Sequence, residues 1–423
     1  MPFKKGYRKA IDDRFSIHIA ANSEEDLNAI LDFNKQVHLE ENIQIYIRSI
    51  MHKYPRRNDL YWLYIQDNKN KKIVSSLCLS RLDWQIEGIH LPVCEMEFVG
   101  TLEAYRRKGF IKILNELYEK LMEKEGYLIS VIRGIPYFYR TLGYEYVSSL
   151  DERIKIKSSK IPNKKLKKIT ISSANLNNIA LISTKYSQFR DKFYIFNKLN
   201  EECFKFKYLN DKFNSKVRST YIINEDSLTT NYFSLGRSYD NKYYEIVCPD
   251  LTMKQANAVL QFIKDIGNYN DNDIIYLSLN KHTSLFNYIK SIGGALFSDY
   301  GWQVKIPDIK KFLSCIKEII EARLEHSEFN NLTKSIKISN YRETIKLEVN
   351  KGKVKQIEQI DEFPDSETTD LRIPGGFLYM LLLGDRSYEE INDLIKDAIV
   401  DPLSKKIIET LFPKKPSLFE SYI

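Results

Sequence analysis

Residues 94–144 read CEMEFVGTLEAYRRKGFIKILNELYEKLMEKEGYLISVIRGIPYFYRTLGY, and this stretch decides the fold. Its first part, to Thr101, has the apolar and β-prone character of a strand. After the turn Arg106-Arg107-Lys108-Gly109-Phe110-Ile111 the period changes. Ile111, Leu114, Leu117, Tyr118 and Leu121 recur at helical spacing, and Gly126 closes the helix. Tyr127–Ile132 then reads as a buried strand, Pro136–Leu142 as a short helix stopped by Gly143, and Tyr144–Leu150 as a final strand. A strand that feeds a Gly-containing turn at a helix start makes an anion site, because the first backbone N–H groups of the helix lack intrahelical partners. The helix dipole and the flanking cations add positive potential, which suits a pyrophosphate. A solvated charge run at a surface helix is the alternative reading of Arg106–Gly109 taken alone.

Outward from this window the elements alternate. Phe15–Ala20 is strand-like, and Ser23 sits at an N-cap position before Glu24, Glu25 and Asp26 and the apolar positions Leu27, Ile30 and Leu31. Leu60–Gln66, Lys72–Leu82 and Leu91–Thr101 are β-rich, with the turn chemistry of Asp67-Asn68-Lys69-Asn70 between the first two. A first domain therefore spans 1–150. Residues 151–167 are Lys-enriched and read as a connector. From Ile169 the order of elements repeats: a short strand, a helix start at Ala174–Ile182, strands around 218–248, a helix at Thr252–Ile266, a strand at Ile274–Leu279, a helix at Ser284–Ile292, and a strand ending near Ile306. This predicts a second, divergent copy over 151–306. A third, α+β unit occupies 307–423: a long amphipathic helix from Ile309 to Leu324, strands Ser335–Ile338, Thr344–Asn350 and Lys353–Ile360 with Lys351-Gly352 as a hairpin turn, and three short helices.

The whole composition agrees with that plan. A chain of 423 residues exceeds the size at which one hydrophobic core stops growing, ~250–300 residues. Hydrophobic residues at 43% and charged residues at 28% belong to a globular protein rather than a disordered or collagenous one. The apolar stretch Phe377–Leu383 is far short of the ~20 residues of a spanning helix, so no membrane span is expected. The N-terminal stretch lacks an apolar signal region, which predicts a cytoplasmic protein. Five cysteines without C-x-x-C spacing fit neither a disulfide framework nor a zinc site, and the six histidines form no ligand pattern, so no metal is expected. The net charge of +8 is dispersed rather than gathered in an arm, and nucleic acid is not indicated as a partner.

The strand, the R-x-x-G turn and its helix, the next strand, and then Phe138-Tyr139-Arg140-Thr141-Leu142-Gly143-Tyr144 together resemble motifs A and B of the GNAT N-acetyltransferases. One departure is Ile111, where the motif usually has a small residue. At the level of the whole chain, a GNAT domain, a degenerate GNAT-like copy and a third region carrying FLYMLLLGDRSYEEI and LFPKKPS resemble the enhanced-intracellular-survival (Eis-like) type, whose third domain is sterol-carrier-protein-like. The fold class implied is α/β and α+β, with tandem GNAT-like mixed-sheet domains followed by a sterol-carrier-protein-like α+β domain. The second copy has Cys248-Pro249-Asp250-Leu251-Thr252 where an R-x-x-G turn belongs, and so lacks the phosphate-cradling Gly and Arg.

The resemblance implies acetyl-coenzyme A as co-substrate and an amine, of a small molecule or a peptide lysine, as acceptor. It places the pantetheine arm against the backbone of Val99, Gly100 and Thr101, and the pyrophosphate at Arg106, Arg107, Lys108, Gly109, Phe110 and Ile111. Direct transfer to an amine needs a base for the ammonium and an acid for the leaving thiolate. Tyr139 stands at the family's acid position, with a packed aromatic as its alternative role. Glu95 and Glu97 alternate on the strand and share one face, so that Glu97 is a candidate base, although exposure at the surface is expected for at least one of the two. In the Eis-like type the terminal carboxylate has the base role, which corresponds to Ile423. The resemblance also allows a homo-oligomer. A non-catalytic acyl-coenzyme A- or lipid-associated scaffold on the same fold is the competing function.

Overall fold

The computed structural model describes residues 3–38, 43–163, 168–209, 218–238, 242–298, 300–361 and 368–421. The first region forms β1 (Arg8–Ala10), β2 (Phe15–Ile19), α1 (Glu24–Val37), α2 (Ile43–Lys53), β3 (Tyr61–Asp67), β4 (Lys72–Ile86), β5 (Ile89–Thr101), α3 (Phe110–Glu125), β6 (Ile129–Ile132) and β7 (Glu145–Ser149). Ser23 caps α1 by accepting from the Asp26 N–H, as its sequence predicts. The second region forms β8 (Glu152–Lys157), β9 (Ile169–Ser173), α4 (Ile179–Arg190), β10 (Ile195–Asn197), α5 (Glu201–Leu209), β11 (Arg218–Glu225), β12 (Leu228–Arg237), β13 (Tyr244–Val247), α6 (Met253–Ile266), β14 (Ile274–Leu279), α7 (Ser284–Ser291), β15 (Ala295–Ser298) and β16 (Gly301–Lys305).

The two large sheets are built on one plan. The first runs β1-β2-β3-β4-β5-β6-β16-β7, with β10 attached to β4; the second runs β15-β8-β14-β13-β12-β11-β9. Each has a single parallel junction among the described residues, β5 with β6 and β13 with β14, and the helix that crosses over is α3 in one and α6 in the other. Read from β2 and from β9 the orders correspond strand for strand, and in each sheet the penultimate strand is the one that follows in the chain directly after the end strand of the other sheet, β16 after β15 and β8 after β7. β16 lies between β6 and β7, antiparallel to both, while β8 lies between β14 and β15. The stretch 151–167, read in the sequence as a connector, therefore opens with a strand inside the second sheet, where Ile154 and Ile156 are buried. Its lysines alternate with these isoleucines, and that period-two pattern is what the Lys enrichment hides.

The third region forms α8 (Ile309–Cys315), α9 (Lys317–Glu325), β17 (Lys334–Ser339), β18 (Thr344–Asn350), β19 (Lys353–Ile360), β20 (Leu371–Arg372), α10 (Phe377–Leu382), α11 (Tyr388–Leu394), β21 (Ile399–Val400) and α12 (Lys405–Leu411). The single long helix expected over 309–324 is two helices that meet at Ile316, whose φ and ψ of −97° and 13° leave the α region. Lys351 and Gly352 make the expected hairpin with φ of 48° and 70°. The core of this region is continuous with the first: Phe312, Leu313 and Leu378 share one buried cluster with Trp84, Val93 and Ile129. At that seam Gly376 lies so close to Glu145 of β7 that a Cβ on it would stand 2.4 Å from the Glu145 Cβ. No helix among the described residues is long and apolar enough to cross a membrane.

Candidate active site

The parallel ladder between β5 and β6 pairs Val93 with Ile129, Cys94 with Ser130 and Glu95 with Val131, and there it stops, although β5 continues to Thr101. The divergence has a local cause. Phe98 takes φ of 50°, and the register with β4 shifts between Glu97 and Gly100, so the strand carries a bulge and turns away from its neighbour. Val99, Gly100 and Thr101 lie on this departing segment. Gly100 has no room for a side chain, since a Cβ would meet Val37 Cγ1 of α1 at 2.3 Å.

Beyond Thr101 the chain enters the start of α3. Arg107 has φ of 64° and Gly109 φ of 75°, two left-handed positions that curl the backbone N–H groups to one side. Gly109 is the N-cap, no side chain caps the helix, and a Cβ there would meet nothing within 4 Å. The first turn of this helix therefore presents open N–H groups, with Arg106, Arg107 and Lys108 exposed around them. Lys108 lies over the rings of Phe15 and Tyr105. Phe110 anchors the turn in the core against Phe15, at 4.9 Å between ring centres, and Ile111 packs on the same cluster. The corresponding helix of the second half is closed: Thr252 accepts from the Gln255 N–H and Gln255 returns the bond to the Thr252 N–H.

Tyr139 sits in a 3-10 turn, Phe138–Leu142, ended by Gly143 with φ of 87°. Its ring is buried, edge-on to Phe138 and Tyr144. Burial pushes its phenol well above the usual tyrosine range, and its hydroxyl has no hydrogen-bond partner among the described residues. Gly134 makes room for the ring, because a Cβ at that position would stand 2.0 Å from Tyr139 Cε2.

Glu95 and Glu97 share a face as the alternation predicts, but neither is exposed, contrary to the expectation for at least one. Arg133 binds both, its Nε donating to Glu95 Oε1 and its Nη2 to Glu97 Oε1, each at 2.9 Å. Arg133 follows directly after β6, and its sequence position at a strand end is the one signal that could have singled it out. Burial, and then the neighbouring Glu95 carboxylate, hold the Glu97 carboxyl well above the ordinary range. The second oxygens of both, Oε2, are buried without a hydrogen-bond partner. Near Arg133 further charges gather: Lys207 and Arg218 of the second region with Glu245, and Glu420 of the C-terminal tail. Arg218 and Glu245 pair at 3.2 Å yet keep 23% and 28% of their side-chain surface open. The tail reaches the site through Ser421, whose carbonyl accepts from Lys207 Nζ at 2.6 Å. Ile423 lies outside the described residues.

β5 thus runs on past the end of its ladder with β6 beside an open helix start, and Tyr139 lies in the turn that follows β6. Residues 18–147 match the acetyltransferase (GNAT) domain family. Over nearly its whole length the chain also has the fold of several solved acetyltransferase structures. A GCN5-related N-acetyltransferase from Anabaena variabilis ATCC 29413 is 15% identical with a TM-score of 0.67, covering 96% of this chain and 98% of that one. One from Kribbella flavida is 11% identical with a TM-score of 0.63, over 96% and 97%. Eis1 from Mycobacterium abscessus is 10% identical with a TM-score of 0.59, over 95% and 98%. At these identities the likeness is one of fold. A comparison with curated proteins finds no match. Within the matched residues, β5, α3 and β6 carry the end of the parallel ladder and the open turn, and the 3-10 turn after β6 carries Tyr139.

Proposed function

We propose that the protein is an acetyl-coenzyme A-dependent N-acetyltransferase that modifies a primary amine by direct attack. The observation that carries this reading is the junction of the splayed β5–β6 pair with the uncapped start of α3. Residues Arg106–Ile111 fit a pyrophosphate, with open N–H groups, surrounding cations and space above Gly109. Val99–Thr101 offer strand backbone beyond the end of the β6 ladder, which suits the amides of a pantetheine arm. Bound there, acetyl-coenzyme A supplies the activated acyl group as a thioester.

The protein's own groups handle the protons. Glu97, held up by burial and with one oxygen unpartnered, takes the ammonium proton directly or through water, with Arg133 keeping the carboxylate pair aligned. The free amine nitrogen then bonds to the acetyl carbon as the carbon–sulfur bond breaks, and Tyr139 gives its phenolic proton to the leaving sulfur. The carboxylates of Glu95, Glu97 and Glu420 suit a cationic acceptor. The base role that the resemblance gives to Ile423 is assigned here to Glu97.

Thiol release from acetyl-coenzyme A, screened over mono-, di- and polyamines and amino sugars with Tyr139→Phe alongside, tests the reading. We expect Tyr139→Phe to lower turnover by roughly 10- to 1000-fold at unchanged acetyl-coenzyme A affinity. Binding without thiol release from any amine would replace the enzyme by an acyl-coenzyme A-binding scaffold.

A further inference from the structure

We propose that β16 of the second half, with the residue just before it, is a positioning element for the reaction of the first, Tyr300 and Gln303 fixing the Arg133–Gly134 backbone on which Tyr139 and the Glu95–Glu97 pair both depend. The proposal rests on the transferase reading above. Its starting point is a single carbonyl. Gly134 O accepts from the Tyr300 hydroxyl and also from Gln303 Nε2, the latter at 3.2 Å, and Tyr146 of β7 donates to the Tyr300 oxygen at 3.1 Å.

That carbonyl lies at the hinge of the site. Gly134 is the residue against which the Tyr139 ring is seated, with no space for a Cβ. The residue before it, Arg133, is the one that holds Glu95 and Glu97. The Arg133 guanidinium in turn lies 5.3 Å from the ring centre of Trp302, again of β16. At the other end of the Tyr139 turn, Lys305 Nζ donates to Leu142 O at 2.7 Å and pairs with Glu119 of α3. One borrowed strand therefore grips both ends of residues 133–142.

Strand pairing alone does not require these side chains. The ladders of β16 with β6 and β7 are made by backbone, and an apolar residue would serve better at position 303. Gln303 is 1% exposed and its Oε1 has no hydrogen-bond partner, so the amide is buried at a cost that only its donor side offsets. A phenol and an amide aimed at the same carbonyl are what is needed to hold a loop, not to fill a core.

The test uses the full chain with Tyr300→Phe and Gln303→Met, both close in shape to the parent side chains. We expect amide exchange over residues 133–139 to quicken at least about 10-fold, since a native hydrogen bond is lost at a stiff loop. Turnover with the best amine of the screen should fall about 10- to 100-fold at unchanged KM for acetyl-coenzyme A. Neither change should add to the loss caused by Tyr139→Phe, because a residue that acts through Tyr139 has nothing left to position. Unchanged exchange and turnover, a rise in KM for acetyl-coenzyme A, or losses that multiply with Tyr139→Phe would each overturn the proposal. Tyr139→Phe at the parent rate would remove the acid role and this coupling together. Failure of the parent to release thiol with any amine would sink the transferase reading, while amide exchange would still decide whether β16 holds the loop.

Discussion

Ser421 Oγ lies 3.5 Å from Glu97 Oε1, a contact between positions 324 residues apart in the chain. The tail that brings Ser421 there runs across the first sheet: Leu418 N–H donates to Ile195 O at 2.8 Å, and the Trp84 indole N–H donates to Glu420 O at 3.2 Å. A segment of the third region thus forms one wall of the site in the first. Its firmest anchor is Phe419, whose ring centre stands 4.4 Å from that of Trp84 and 6.4 Å from that of Trp302.

Phe419→Ala should therefore act on stability and on the site at once. Removing a buried aromatic ring costs about 3–5 kcal/mol, and we expect the thermal midpoint to drop by several degrees with a red shift of tryptophan emission. An unchanged midpoint and emission would mean that the tail does not anchor at Trp84.

Coenzyme A should bind once per chain. Only α3 offers an open N-terminus of the two corresponding helices, since Thr252 and Gln255 already satisfy that of α6. Calorimetry with acetyl-coenzyme A should give a stoichiometry near one, and Gly109→Asp should weaken binding at least about 10-fold through its charge and its side chain at φ of 75°. A stoichiometry near two, or full affinity in the variant, would contradict this assignment.

Gly134→Ala is a probe of the Tyr139 seat. The added Cβ falls 2.0 Å from Tyr139 Cε2, so the ring must move, at about 1–3 kcal/mol for the overpacking. Turnover should fall while acetyl-coenzyme A affinity is kept, because the α3 turn is untouched. Parent turnover in a folded Gly134→Ala protein would show that the ring position is irrelevant to the chemistry.

Asp151 sets a pH dependence of stability. It stands where the chain passes from the first sheet to the second, and burial, only partly opposed by Arg218, pushes its carboxyl up to about 6. A carboxyl whose folded value is raised holds its proton more tightly in the folded chain. Its contribution to stability is therefore lost as pH rises from about 4 towards 6, by ~1–3 kcal/mol. Asp151→Asn should remove this decline, so the variant gains on the parent between pH 4.5 and 7 in urea midpoints. An equal difference at both pH values would exclude Asp151 as the source.

The sequence by itself determined the elements that depend on neighbours in the chain. The helix opened by Gly109 and closed by Gly126, the 3-10 turn stopped by Gly143, and the hairpin at Lys351-Gly352 all follow from local backbone preference and helical or two-residue periodicity. For the same reason the open turn at Arg106–Ile111 and the place of Tyr139 were legible, because a helix start and a glycine-ended turn are local objects. What tertiary structure alone decided are relations between distant segments. Backbone ladders have no sequence signature for their partner, so nothing in Gly301–Lys305 or Glu152–Lys157 announces which of the two sheets each strand joins. Exposure of Glu95 and Glu97 could not be read either. A carboxylate on a strand belongs at the surface unless a specific cation meets it, and that cation, Arg133, comes from the far side of α3, while Ser421 closes over Glu97 from the last part of the chain.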